Sequence, residues 1–260
     1  MSRLLSLAAG TILDVGPVDA VDVAADAGFG AVGIWFDPTG FGVETPGKIR
    51  TRLDDRDIIA LDIEPIMLSS SGDHGDRIVD AAIEIGVHNI LVASREGDHA
   101  KVATRLTALS DRVAGSQIKL VLEFLPILAI KTLADAVSIA RSVSRENVGV
   151  LIDALHLSRS HSSLDLVRQT NVKMFPYLQL CDAPEVHPDP SPENLLYEAL
   201  HSRLLPGDGG LPLVELLEAV PDVPISLELR SAALIEAFPD PRDRARAVHA
   251  AMTTVLRKTS

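Results

Sequence analysis

The sequence predicts an α/β protein: a single (β/α)8 TIM barrel of parallel strands occupying residues 1–260. Three observations lead there. Short apolar runs alternate eight times with longer stretches of helical spacing, and no long linker intervenes. The runs are apolar on both faces, as strands covered from two sides must be. The length of 260 residues is close to the usual size of one such barrel. An open doubly wound sheet is the rival, but AAGTILDVGP, after the first run, lacks the glycine spacing of a dinucleotide-binding turn.

The elements follow in order. LLSLAAG reads as the first strand. With the preceding Arg3 it faintly resembles a signal peptide, yet it is short and leads straight into an amphipathic pattern, so a barrel strand explains it better. In PVDAVDVAADAGF, Val18, Val21, Val23 and Ala24 lie on or near one helical face, and Gly28 closes the helix. AVGIWF and IIALDIEPI are the second and third strands; DRIVDAAIEIG is a helix stopped by Gly86. NILVAS, KLVLEFL, VGVLID, YLQLCD and PISLEL complete the strands. Helical spacing recurs in DHAKVATRLTALSDRVAG, TLADAVSIARSVS, SLDLVRQT, PLVELLEAV and PRDRARAVHAAMTTVLRK.

Composition excludes several functions. The net charge of -12 repels phosphate backbones and anionic lipid, which argues against nucleic acid or a membrane surface as partner. No segment approaches the ~18–20 apolar residues of a membrane span. A single cysteine, Cys181, rules out an internal disulfide framework and fits a reducing compartment. The expectation is a soluble cytoplasmic protein whose oligomeric state is not legible.

Four polar residues stand at or near the ends of the last four apolar runs: Glu123, Asp153, Gln179 and Glu228. In a parallel barrel such positions converge on one mouth. Neighbouring strands lie ~4.8 Å apart, so three carboxylates and one amide oxygen can surround one divalent cation. A strand-end Asp is also a common helix N-cap, but Glu is a poor one. Burying three carboxylates together without a cation raises their pKa values until protons are taken up. An amide oxygen in place of imidazole hardens the set, favouring Mn²⁺ or Mg²⁺; Co²⁺ and Zn²⁺ are the softer alternatives.

Four stretches resemble the xylose isomerase-like barrel superfamily, in its sugar phosphate isomerase/epimerase branch. They are the Glu-ended strand VLEF, Asp153-x-x-His156, Gln179-x-x-Asp182 followed by Pro184, and Glu228-x-Arg230; the loop LLPGDGGLPL is similar to the Pro-Gly-x-Gly loop of that branch. The resemblance implies metal ligands at Glu123, Asp153, Gln179 and Glu228, with Gln179 as in hydroxypyruvate isomerase-like enzymes. It also implies that Glu123 and Glu228 are the catalytic acid/base pair. His156 would then contact a substrate oxygen or relay a proton; the alternative is a histidine capping local backbone. The implied reaction is isomerisation or epimerisation of a small sugar or hydroxy-carbonyl compound. A lyase or dehydratase on the same barrel is the alternative, as is a non-catalytic sugar-binding barrel. Barrels of this kind are often homo-oligomers. The apurinic endonuclease branch is rejected, because it needs many more His ligands and a DNA-binding surface.

Further substrate-binding candidates carry open readings. Arg230 either anchors an anionic group or forms a structural salt bridge, and Arg203 has the same ambiguity. Asp182 is either a hydrogen-bond acceptor behind the site or a helix start. Trp35 is either an apolar wall beside Asp37 or core, and Glu64 is placed to bind a hydroxyl. His74 and His99 read as solvated loop residues, His249 as packing or surface; His161, His187 and His201 have no assigned role.

Overall fold

In a computed structural model, which describes residues 3–186 and 189–258, eight strands form one closed, all-parallel barrel. They are β1 (Leu5–Leu7), β2 (Ala31–Trp35), β3 (Ile59–Leu68), β4 (Asn89–Ser94), β5 (Lys119–Glu123), β6 (Val148–Asp153), β7 (Leu178–Leu180) and β8 (Ile225–Leu227). Each strand pairs with its neighbours in sequence, and β8 returns to β1. His187 lies outside the described residues.

The connections carry α1 (Pro17–Asp26), α2 (Thr45–Arg56), α3 (Gly75–Ile85), α4 (His99–Arg112), α5 (Leu133–Val143), α6 (Ala154–Arg159), α7 (Leu164–Gln169), α8 (Pro192–His201), α9 (Leu213–Ala219), α10 (Ala232–Ala237) and α11 (Pro241–Leu256). Local chemistry sets their limits. Pro17 opens α1, where its missing N–H costs nothing. Gly86 ends α3 at φ 81°, a left-handed conformation that favours glycine. Thr132 and Asp135 form a reciprocal capping box at the start of α5. The helical patterns above omit α2, because TPGKIRTRLDDR offers only Pro46, Ile49 and Leu53 to the core. No helix among the described residues is long and apolar enough to cross a membrane.

The main core fills the layer between the strands and their covering helices. A smaller cluster plugs the barrel interior: Ala31, Leu61, Leu91, Val121 and Leu151 from β2 to β6, with Tyr177 just before β7. Ala60 and Asp62 pair with the consecutive residues Val32 and Gly33, so Leu61 is the extra residue of a bulge in β3. The bulge lets both Leu61 and Asp62 contribute to the interior: the Tyr177 hydroxyl, on the apolar plug, donates to Asp62 Oδ2 at 3.4 Å.

The seam between first and last strands is stitched by side chains. Thr11 Oγ1 donates to the Leu227 carbonyl at 2.7 Å and accepts from Leu229 N at 2.8 Å. Arg244 of α11, fully buried, pairs with Asp14 and donates to the Thr11 carbonyl.

Candidate metal and substrate site

At the C-terminal ends of the strands the interior turns acidic. Asp62, Glu64, Glu123, Asp153 and Glu228 are all buried there. Glu123 and Asp153 end β5 and β6, and Glu228 follows β8 by one residue. In register, Asp153 sits beside Gln179, and Gln179 beside Ser226. Glycines make room: a Cβ on Gly10 would run into the Glu228 carboxylate, and one on Gly33 would lie 3.1 Å from Asp62 Oδ1.

Asp153 holds two positions at once. Its Oδ1 caps α6, accepting from Leu155 N at 2.7 Å and His156 N at 3.1 Å. Its Oδ2 accepts from Arg203 Nη1 at 2.6 Å. A carboxylate has about four acceptor positions, so one remains. Arg203 Nη2 lies 3.0 Å from Glu228 Oε2, and Nε donates to the Ala199 carbonyl. Asp153 is therefore the N-cap of α6 with one acceptor position open, and Arg203 is a buried structural bridge between two strand-end carboxylates.

The ligand atoms of Glu123, Asp153 and His156 lie within 4.8 Å of one another. His156 Nε2 is 3.9 Å from Glu123 Oε1. The His156 imidazole thus belongs to the acidic cluster itself, whereas the Glu228 carboxylate is tied to Arg203. The buried Gln179 amide has no hydrogen-bond partner at either its oxygen or its nitrogen.

The electrostatics of these groups diverge. Burial, reinforced by Asp153 and Glu228, pushes the Glu123 carboxyl well above the usual range. Burial pushes Asp153 up too, but Arg203 and His156 outweigh it and hold the carboxyl below its ordinary value. Burial pushes the His156 imidazole down to about 4, leaving it neutral at pH 7, the form that binds metal. Burial and then Glu228 raise Asp62 to about 7. Burial, then Asp62, Glu228 and Glu123, raise Glu64 well above normal.

The remaining candidates separate. Asp182 uses its carboxylate on backbone: Ala183 N and Leu211 N donate to Oδ1, Gly207 N to Oδ2. It pins the LLPGDGGLPL loop and starts no helix. Glu64 Oε1 is buried without a partner. Trp35, half-buried at the end of β2 beside Glu64, carries the Arg230 guanidinium 5.7 Å above its ring centroid. Asp37 is exposed and accepts from Thr39. His74 and His99 stand at the starts of α3 and α4. His161 follows α6 at φ 52°, His201 ends α8 beside Tyr197, and His249 packs edge-on against Phe29.

Sequence reasoning missed Asp62, Tyr177, Ser6 and Ser226. Ser6 and Ser226 pair across β1 and β8, and both hydroxyls are buried without partners, as is Asp62 Oδ1. The signal for Asp62 was its place, with Glu64, inside an otherwise apolar run. The serines give none, because a small hydroxyl in a strand is unremarkable.

A cavity of about 800 Å³ opens at the opposite end of the barrel, lined by Arg3, Leu4, Leu217, His249 and Arg257 among others, and it contains none of these acids.

Fold and site together define a (β/α)8 barrel with a buried acidic cluster at the C-terminal mouth. The chain belongs to the xylose isomerase-like TIM barrel family, which it matches over residues 21–255. It is 28% identical to an inosose isomerase of Bacillus subtilis (strain 168) over 123 residues, which span 46% of this chain and 42% of that protein. A crystal structure of the IOLI protein with a zinc atom superposes with a TM-score of 0.85 at 18% identity, covering 100% of this chain and 99% of the other. A xylose isomerase-like TIM barrel/4-hydroxyphenylpyruvate dioxygenase fusion protein gives 0.84 at 19% identity, with 100% of this chain covered but only 43% of the fusion.

Proposed function

We propose that the protein is a divalent-metal-dependent isomerase or epimerase of a small sugar or hydroxy-carbonyl compound. The observation that carries this reading is the buried Glu123–Asp153–His156 cluster beside an amide, Gln179, with neither polar atom satisfied. A native core seldom leaves such an amide unpartnered unless something else completes it. The donor set fits a cation: Glu123 and Asp153 offer oxygens, Gln179 its amide oxygen, and His156 a neutral nitrogen. Glu228 would join them from the Arg203 side. The inosose isomerase relative and the zinc in the IOLI structure point to the same class.

A divalent ion bound here supplies Lewis-acid polarisation of a carbonyl and its neighbouring hydroxyl. The protein supplies the proton handling. Glu123 removes a proton from carbon as general base. Glu228, from the far side of the mouth, returns one. Arg203 keeps Asp153 ionised and fixes the Glu228 carboxylate. The substrate would lie between β5 and β8, above the apolar plug, with Glu64 and Asp62 facing its hydroxyls.

The test is metal content and metal-dependent melting, with Asp153→Asn and Glu228→Gln beside the parent protein, followed by proton exchange from deuterated water into a sugar panel. One divalent ion per chain, Mn²⁺ or Mg²⁺ preferred, lost in both variants, together with exchange in the parent, supports the reading. Equal stability with and without metal, unchanged ion uptake in the variants and no exchange would refute it.

A further inference from the structure

The mouth contains two arginines in opposite states. Arg203 has all its guanidinium nitrogens engaged by Asp153, Glu228 and backbone carbonyls. Arg230 stands two residues past Glu228. Among the described residues its guanidinium donates no hydrogen bond and has no acidic group within 4.0 Å; it lies over Trp35, 5.7 Å to the centroid, and its charge is felt by Glu64. The contact spans the barrel rim from the end of β8 to the end of β2. Between them lies the segment after β1, Ala8, Ala9 and Gly10.

A half-buried guanidinium placed over an aromatic ring, with its donors free, is positioned for an anion. We propose that Arg230, backed by Trp35, receives the carboxylate of a small hydroxy acid, so that the substrate of this site is a sugar acid and not a neutral sugar. This deepens the isomerase/epimerase reading and rests on it for the position of the reacting carbons. A carboxylate matches the guanidinium fork through two parallel hydrogen bonds. One free cation faces one negative charge. A phosphate dianion would bring a second charge towards five buried carboxyls, with Arg203 already committed.

Trp35 is the only tryptophan of the chain, so its emission reports on Arg230 directly. The experiment titrates D-glycerate and D-gluconate, with glycerol, D-sorbitol and glycerol 3-phosphate alongside, at constant ionic strength, with and without added Mg²⁺. The expected result is a saturable change in Trp35 emission for the carboxylates, with at least about tenfold tighter binding than for the neutral polyols. Arg230→Met should abolish it. Arg230→Lys, which keeps the charge but loses the fork, should weaken it about tenfold while the circular dichroism spectrum is unchanged. Equal response to gluconate and sorbitol, no response in either metal state, tighter binding of glycerol 3-phosphate, or an unaltered Arg230→Lys titration would overturn the proposal. Carboxylate binding without proton exchange into any substrate would leave the anchor standing and remove the isomerase reading. Exchange into neutral sugars without carboxylate binding would do the reverse.

Discussion

Asp62 offers a test of the interior electrostatics that does not depend on metal. Its carboxyl is fully buried, and its pKa is raised from 3.8 to about 7 by burial and by Glu228. Between those values the native protein binds a proton that the unfolded chain has released, so stability falls as pH rises. About 3 pH units at ~1.4 kcal/mol each amounts to roughly 4 kcal/mol lost between pH 4 and pH 7. For a chain of this size each kcal/mol moves the melting temperature by roughly 2–4 °C, giving a decline of the order of 8–16 °C from this group. Asp62→Asn keeps the shape and an acceptor for the Tyr177 hydroxyl but carries no charge. In chelator-treated protein, melting curves from pH 4.5 to 8 should therefore fall much less steeply for the variant. The two proteins should converge at the acid end and the variant should be the more stable at pH 8. Parallel curves would refute the argument, because they would mean that Asp62 ionises in the folded barrel at no cost.

Four further outcomes follow from named contacts. Arg203→Met strips the buried Asp153 and Glu228 carboxylates of their cation and should cost about 3–5 kcal/mol in chemical denaturation. Asp182→Ala leaves the backbone N–H groups of Ala183, Gly207 and Leu211 without an acceptor, costing about 1–3 kcal/mol, with faster hydrogen exchange localised to those amides. Gly10→Ala pushes the Glu228 carboxylate aside, so turnover should drop by at least about tenfold with little change in the circular dichroism spectrum. Because Asp153 is held below its ordinary pKa, its contribution is present above pH 4 and is lost as pH falls through the folded value. In Arg203→Met that acid limb should flatten, because without the guanidinium burial raises the Asp153 carboxyl and its protonation no longer costs stability.

The barrel was legible because both of its periodicities are written locally. Val18, Val21, Val23 and Ala24 mark a helix face, and NILVAS needs no neighbour to read as a buried strand. Glu123 and Asp153 were legible as strand ends for the same reason. What remained hidden depends on register or on distant partners. Leu61 and Asp62 both reach the interior only because the ladder slips between Val32 and Gly33, and strict alternation places one of them outside. The Arg203–Asp153 pair joins residues 50 positions apart, which no motif announces. Asp182 read equally as an acceptor behind the site and as a helix start, because its task, holding the loop at Gly207 and Leu211, is visible only when the loop folds back on it.

The stitched seam between β1 and β8 bears on when the site comes into being. Thr11 meets Leu227 across 216 residues of chain, and Glu228 follows immediately. Loop closure over that distance is among the slowest contacts a chain of this length makes. A nascent chain can carry Glu123, Asp153 and Gln179 on neighbouring strands while the eighth strand is still unmade, yet Glu228 arrives only with ring closure. Acquisition of activity during refolding should therefore lag the gain of helical signal and coincide with the last cooperative step. A circular permutant joining β8 directly to β1 would turn that long-range closure into a local one and shorten the lag.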